Sequence, residues 1–176
     1  MMTDEVFCGL VITGEKEKPC GVAFLNDDLE SFSVTEDEEI LTLMDKHKPD
    51  VIAFNVPLTG PGKTEGFRED EEDLVDEGYS FLPPAVHDDM KLERAVFLKN
   101  SIKRMEFMPE LVECRPELTS EILKVKSDAE LEDRGFDPSP VSNVREFNAV
   151  LAAITAKLYS NDGCVDKGVL VPEEGL

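Results

Sequence analysis

Residues able to do chemistry are sparse in this chain and stand at the ends of apolar runs. The run Val51-Ile52-Ala53-Phe54 leads into Asn55, and a loop containing Pro57, Gly60, Pro61 and Gly62 follows at once. That pattern predicts a buried strand that delivers Asn55 to the rim of a sheet. In open α/β folds this rim is where ligands and reacting groups gather. The group delivered here is an amide, which accepts a hydrogen bond or one coordination bond but brings no charge. A shorter run, Leu111-Val112, delivers Glu113 in the same way. Glu146 is a further acid with two readings: it reaches inward as a ligand, or it caps a helix together with Asn143.

The cations near Asn55 are Lys63 and Arg68. Gly60-Pro61-Gly62-Lys63-Thr64 follows a strand, as a nucleotide phosphate loop would. The full pattern wants glycine where Pro57 stands, and Pro61 lacks an amide hydrogen that a phosphate cradle would use. A nucleotide loop is therefore the weaker reading. A modest anion site built from Lys63, Arg68 and amides at a helix start is the stronger one. Of the two histidines, His47 ends a helix, where it suits the negative pole, and His87 stands beside Asp88 and Asp89. The four cysteines form no CxxC pair, and with so few histidines a zinc site is not expected. Cys8 and Cys114 lie in apolar runs and read as buried thiols.

The elements that must position these groups follow from pattern. Val6 to Ile12, Cys20 to Leu25 and Ser31 to Val34 read as three strands of an antiparallel meander. Thr35 with Glu38 reads as a capping box opening a helix to about Lys46. Pro49 then stops the chain before the Asn55 strand, which a helical crossover makes parallel to its partner. Helices are expected at 67–77 and at 88–104, the first strongly acidic. Gly78 to Pro84 should be extended, because residues before proline avoid the helical region. Shorter helices are expected at 117–124 and 128–134. The helix behind Asn143 carries Val144, Phe147, Leu151, Ile154 and Leu158 as an apolar stripe. Asn148 belongs on its sheet-facing side. The tail is polar apart from Val169-Leu170-Val171.

With 176 residues and 41% hydrophobic content, one domain spanning 1–176 is expected. The formal net charge of −21 opposes stable binding to phosphate backbones or anionic lipid. No apolar run is long enough to span a membrane, and the expected setting is a soluble, cytoplasmic one.

The order of elements, together with local motifs, resembles the DUF429 family, a group of predicted nucleases with the ribonuclease H-like fold. Ala53-Phe54-Asn55-Val56-Pro57-Leu58-Thr59 resembles that family's "I-D-A-P-L-S" stretch. Phe67-Arg68, Gly78-Tyr79 and Leu82-Pro83-Pro84 are similar to its arginine-bearing helix start and its "G-x-x-x-x-P-P" segment. Val112-Glu113-Cys114-Arg115-Pro116 resembles its "E-x-x-P" element, and residues 148–156 resemble its closing helix, usually "D-A-x-x-A-A-x-T-A". The resemblance spans residues 5–172 or so. It implies a mixed five-stranded α/β sheet with helices on both faces.

The same resemblance exposes departures. Val11 stands where the family's "G-I-D" acid would be, Asn55 replaces the acid of "I-D-A-P", and Asn148 replaces the acid of the closing helix. Nucleases of this fold hold two Mg²⁺ ions about 3.5–4 Å apart. Such ions need several anionic oxygens, which valine and two amides do not supply; Glu113 is the acid that survives. The expectation is a divergent member without nuclease chemistry, binding a partner protein or a small anion around Asn55, Glu113, Arg68 and Asn148. The alternatives are an active Mg²⁺- or Mn²⁺-dependent nuclease with rearranged acids such as Glu146, and a nucleotide-binding protein that uses residues 60–64.

Overall fold

The computed structural model describes residues 5–15, 17–58, 69–78, 89–166 and 169–173. Lys63, Arg68, His87, the 60–64 loop and the 79–84 segment lie outside the described residues.

Three strands open the chain: β1 (Phe7–Val11), β2 (Cys20–Leu25) and β3 (Leu29–Val34). Helix α1 (Asp37–His47) leads to β4 (Val51–Phe54), and α2 (Glu69–Asp76) and α3 (Asp89–Lys103) precede β5 (Glu110–Glu113). Then come α4 (Pro116–Leu123), α5 (Asp128–Asp133) and α6 (Val144–Ser160). A hairpin of β6 (Cys164–Asp166) and β7 (Leu170–Pro172) ends the described chain. The main sheet has the order β3-β2-β1-β4-β5. β1 and β3 run antiparallel to β2, and β4 runs parallel to both β1 and β5. This is the expected mixed five-stranded sheet.

Strand alternation sorts the core into two layers. Phe7, Val11, Val51, Ala53 and Cys114 face α6, where they pack on Ala149, Ala152 and Ala153. Cys8, Leu10, Ile12, Ile52 and Phe54 face α1 and α3, packing with Ile40, Met44, Ala95 and Leu98. Helices therefore cover both faces, and β1 and β2 are buried along their whole length. That accounts for their unbroken apolar runs.

Helix α6 lies unusually close to the sheet at two glycines. A methyl group at Gly9 would collide with the Ala149 carbonyl and come within 2.6 Å of the Ala153 nitrogen. One at Gly21 would meet the Arg145 carbonyl. Glycine within a strand marks such backbone approach.

Three expectations need correction. The cap of α1 is Glu36, not Thr35, and it makes no side-chain capping bond. Arg94 of α3 instead holds this junction, donating to the Thr35 carbonyl at 2.7 Å and to Asp37 Oδ1 at 2.6 Å. A tertiary ion pair thus fastens a junction at which the local side-chain capping bond is absent. On α6, Phe147, Leu151, Ile154 and Leu158 pack in the core as expected, but Val144 is 73% exposed and the buried surface extends over the alanine-rich run Ala149 to Ala156. The two glycines admit small residues, so the close-packed side of the helix is its alanine side. The tail also forms a β-hairpin, and Val169 and Val171 pack there with Leu74 and Leu118.

Candidate functional site

β1 and β4 run side by side to the same edge, and Asn55 stands one residue beyond β4. Its backbone N–H donates to the Leu10 carbonyl at 3.2 Å. The next ladder bond comes from the Ile12 N–H, and its acceptor is the Asn55 side-chain oxygen Oδ1 at 2.8 Å. In an uninterrupted parallel ladder a backbone carbonyl would take that place. The Asn55 carbonyl is instead contacted by Arg115 Nη1 at 3.4 Å. Asn55 thus serves as a backbone surrogate where the two strands part.

Glu113 ends β5, level with Phe54. Its neighbours show which way it faces. Val112 packs in the α6 layer and Leu111 in the α1–α3 layer, so alternation sends Glu113 to the α1–α3 side. There its Oε1 accepts the Leu58 N–H at 2.8 Å, and Lys99 Nζ of α3 donates to the Leu58 carbonyl at 2.9 Å. Both polar groups of residue 58 are thereby anchored. Val11 is 7% exposed and faces α6, through the opposite side of the sheet. Asn148, half-buried on α6, lines a cleft of about 570 Å³ with Glu117, Ser120, Lys126 and Phe147. Val11 therefore faces the α6 layer and Glu113 the other, with Asn55 tied into the strands between them, while Asn148, expected on the sheet-facing side of α6, lines the cleft beside α4 and α5.

Glu146 is 4% exposed and has a full set of donors. Ser31 Oγ donates to it at 2.8 Å, Ser33 Oγ at 2.5 Å, Asn143 Nδ2 at 3.0 Å and the Ser142 amide at 3.2 Å. Asn143 Oδ1 in turn accepts the Glu146 N–H at 2.9 Å, so the reciprocal cap is present. The same carboxylate also joins the start of α6 to the edge strand β3. Burial raises its pKa, but the four donors outweigh burial and hold the carboxyl below its ordinary value.

The remaining titratable groups named from sequence are structural in their contacts. His47 stacks on Phe24 at 3.9 Å between ring centres, with Nδ1 3.5 Å from Glu30. Burial lowers its pKa, and Glu30 partly opposes this. Burial drives the Cys8 and Cys114 thiols well above their ordinary range. Two groups were missed from the sequence. Arg115 is 1% exposed and donates to the Cys114 carbonyl at 2.8 Å, and nothing local marks it as buried. The Ser31/Ser33 pair had a signal, since hydroxyls two apart on a strand share a face.

These groups do not fit a paired divalent cation site. Asn55 Oδ1 accepts from Ile12, Glu113 Oε1 accepts from Leu58 on the opposite face of the sheet from Val11, and Glu146 is enclosed by its serines. Among the described residues, no group of three or more His, Cys, Asp or Glu side chains is arranged to hold a metal ion. Among those residues also, no helix is long and apolar enough to cross a membrane.

No family model matches the sequence, and no curated protein sequence matches it. Solved structures do match. The chain is similar to a T. thermophilus RuvC in complex with Holliday junction substrate, with TM-score 0.57 and 12% identity over 96% of this chain and 99% of that one. It is likewise similar to a second Thermus thermophilus RuvC structure, with TM-score 0.55 and 12% identity over the same shares. The fold is therefore ribonuclease H-like.

Proposed function

We propose that this chain is a divergent relative of the DUF429 family that has given up metal-dependent nuclease chemistry and binds a partner protein or a small anion at the degenerate edge of its sheet. One observation carries the reading. Val11 and Asn55 stand at the shared end of β1 and β4 without a carboxylate, and the surviving acid, Glu113, is turned to the far face and engaged by the Leu58 amide. An amide and a valine cannot balance the charge between two adjacent cations. The amide oxygen of Asn55 keeps the β1–β4 junction closed without needing a charge. An anionic ligand would find its cations at Lys63 and Arg68, and the net charge of −21 disfavours nucleic acid as a stable partner.

A second reading, an active nuclease with rearranged acids, is favoured by the likeness to RuvC, one structure of which is bound to a Holliday junction. Incubating the chain with single-stranded, duplex and branched DNA in Mg²⁺ or Mn²⁺ separates the two. No cleavage is expected; cleavage abolished by Glu113→Gln or Glu146→Gln would sink the first reading. The triple variant Val11→Asp/Asn55→Asp/Asn148→Asp supplies the converse. It should be destabilised without metal and regain thermal stability with Mn²⁺, whereas the parent should not respond. A folded triple variant indifferent to Mn²⁺ would show that these three positions do not converge.

A further inference from the structure

A groove of about 580 Å³ lies between the first turn of α1 and the outer side of α3, beyond the end of β1. It includes none of Asn55, Glu113 or Asn148. Its apolar part is Met90, 58% exposed, and Phe97, 53% exposed. These two stand seven residues apart on α3 and so share one face. Exposed side chains of this size, in a pair at a groove, are what an interaction surface looks like.

The rim is acidic. Glu36 and Glu38 come from the start of α1 and Glu93 from α3, between the two apolar residues. Carboxylates in the first turn of α1 are favoured by the helix dipole, which accounts for Glu38. It does not account for Glu93, in the second turn of α3. Among the described residues the one cation in the lining is Arg94, and it is already engaged. Nε donates to Asp37, Nη1 to the Thr13 carbonyl at 2.9 Å and Nη2 to the Thr35 carbonyl at 2.7 Å. Arg94 therefore braces the floor and leaves Glu36, Glu38 and Glu93 with no cation partner among the described residues.

We infer that this groove docks a basic segment of a partner protein, with one or two large apolar side chains seated on Met90 and Phe97 and lysines or arginines over Glu36, Glu38 and Glu93. An apolar centre within a charged rim is the arrangement in which anchors supply affinity and rim charges supply rate and specificity. The occupant is not a second copy of the chain, because a surface this acidic repels itself. The inference does not depend on whether the sheet edge retains catalysis.

The test uses the full chain and two fluorescein-labelled synthetic peptides of equal positive charge. One carries leucine and phenylalanine anchors among its lysines; the other has serine in their place. Fluorescence anisotropy should show binding of the anchored peptide that weakens as salt is raised. Phe97→Ser should weaken it about tenfold, the loss of one good anchor. Glu93→Lys should weaken it also, while Glu132→Lys on α5, the same charge change elsewhere, should not. All three residues are exposed, and circular dichroism checks that each variant folds. Equal binding of both peptides, or equal losses in Glu93→Lys and Glu132→Lys, would reduce the effect to bulk charge and overturn the inference. So would a dimer in sedimentation that Phe97→Ser dissociates.

Discussion

Replacing Glu146 by alanine takes one acceptor on α6 away from four donors on two segments, β3 and the 140–143 turn. The expected loss follows from what those donors can do next. Ser142, Asn143 and Ser33 are exposed and can turn to water, and Ser31 Oγ already lies 2.7 Å from the Pro140 carbonyl. No donor is stranded, so each bond counts below the range for charged hydrogen bonds and within that of ordinary ones. Four such bonds at somewhat under 1 kcal/mol each come to about 2–4 kcal/mol. Glu146→Gln keeps an acceptor and the shape, and should lose about 1–2 kcal/mol. Urea denaturation followed by far-ultraviolet circular dichroism measures both. The pH dependence adds a sign. The folded pKa is depressed, so this group's contribution is complete above the unfolded carboxyl value of about 4.3 and is lost as pH falls through the lower folded value. The parent should thus lose stability more steeply than Glu146→Gln from about pH 5 downward. Parallel curves for the two proteins, or a loss below about 0.5 kcal/mol in the alanine variant, would refute the account of Glu146 as the clasp between β3 and α6.

Gly9→Ala should be among the most damaging single changes, about 4 kcal/mol or more, because the obstacle is helix backbone and cannot rotate away; a urea midpoint like the parent's would contradict the packing described. Thr155 donates to the Leu151 carbonyl, so it accepts from Thr119 in their 2.7 Å buried contact. Thr155→Val should cost about 1–3 kcal/mol by stranding the Thr119 hydroxyl, and the double valine variant should lose less than the two single losses combined. In the native protein, Cys8, Cys20 and Cys114 should not react with a chromogenic disulfide reagent, since all three are buried. Cys164, its thiol pushed up to about 12 by burial and Glu173, should react slowly at pH 8 and all four rapidly in urea.

Element order was legible wherever the signal was local. The Asn143–Glu146 cap, the β2 run and the Asp89–Lys103 helix needed only neighbouring residues to specify them. What escaped was set by contacts between distant segments. Thr35 and Glu38 have the spacing of a capping box, yet Arg94 arrives from α3 and holds the Thr35 carbonyl. On α6 the stripe was legible apart from Val144, but the alanine side was not, because Gly9 and Gly21, far away in sequence, decide how closely it can approach the sheet. The candidate site shows the same division. Asn55 and Glu113 could both be located at strand ends, but their directions depend on the register of β4 and β5 against β1. No local pattern carries that register, and it is what separates Glu113 from Val11. Asn55 was legible as an amide at a rim, but not as the acceptor for the Ile12 N–H.

The seating of α6 on Gly9 and Gly21 bears on how the chain is made. The first two strands are made more than a hundred residues before the helix backbone that covers one side of them. Until then Phe7, Val11 and Ala23 present a bare apolar wall to solvent. Fragments released before Val144 should therefore clump or be taken up by chaperones, and native structure should form only once α6 has been made.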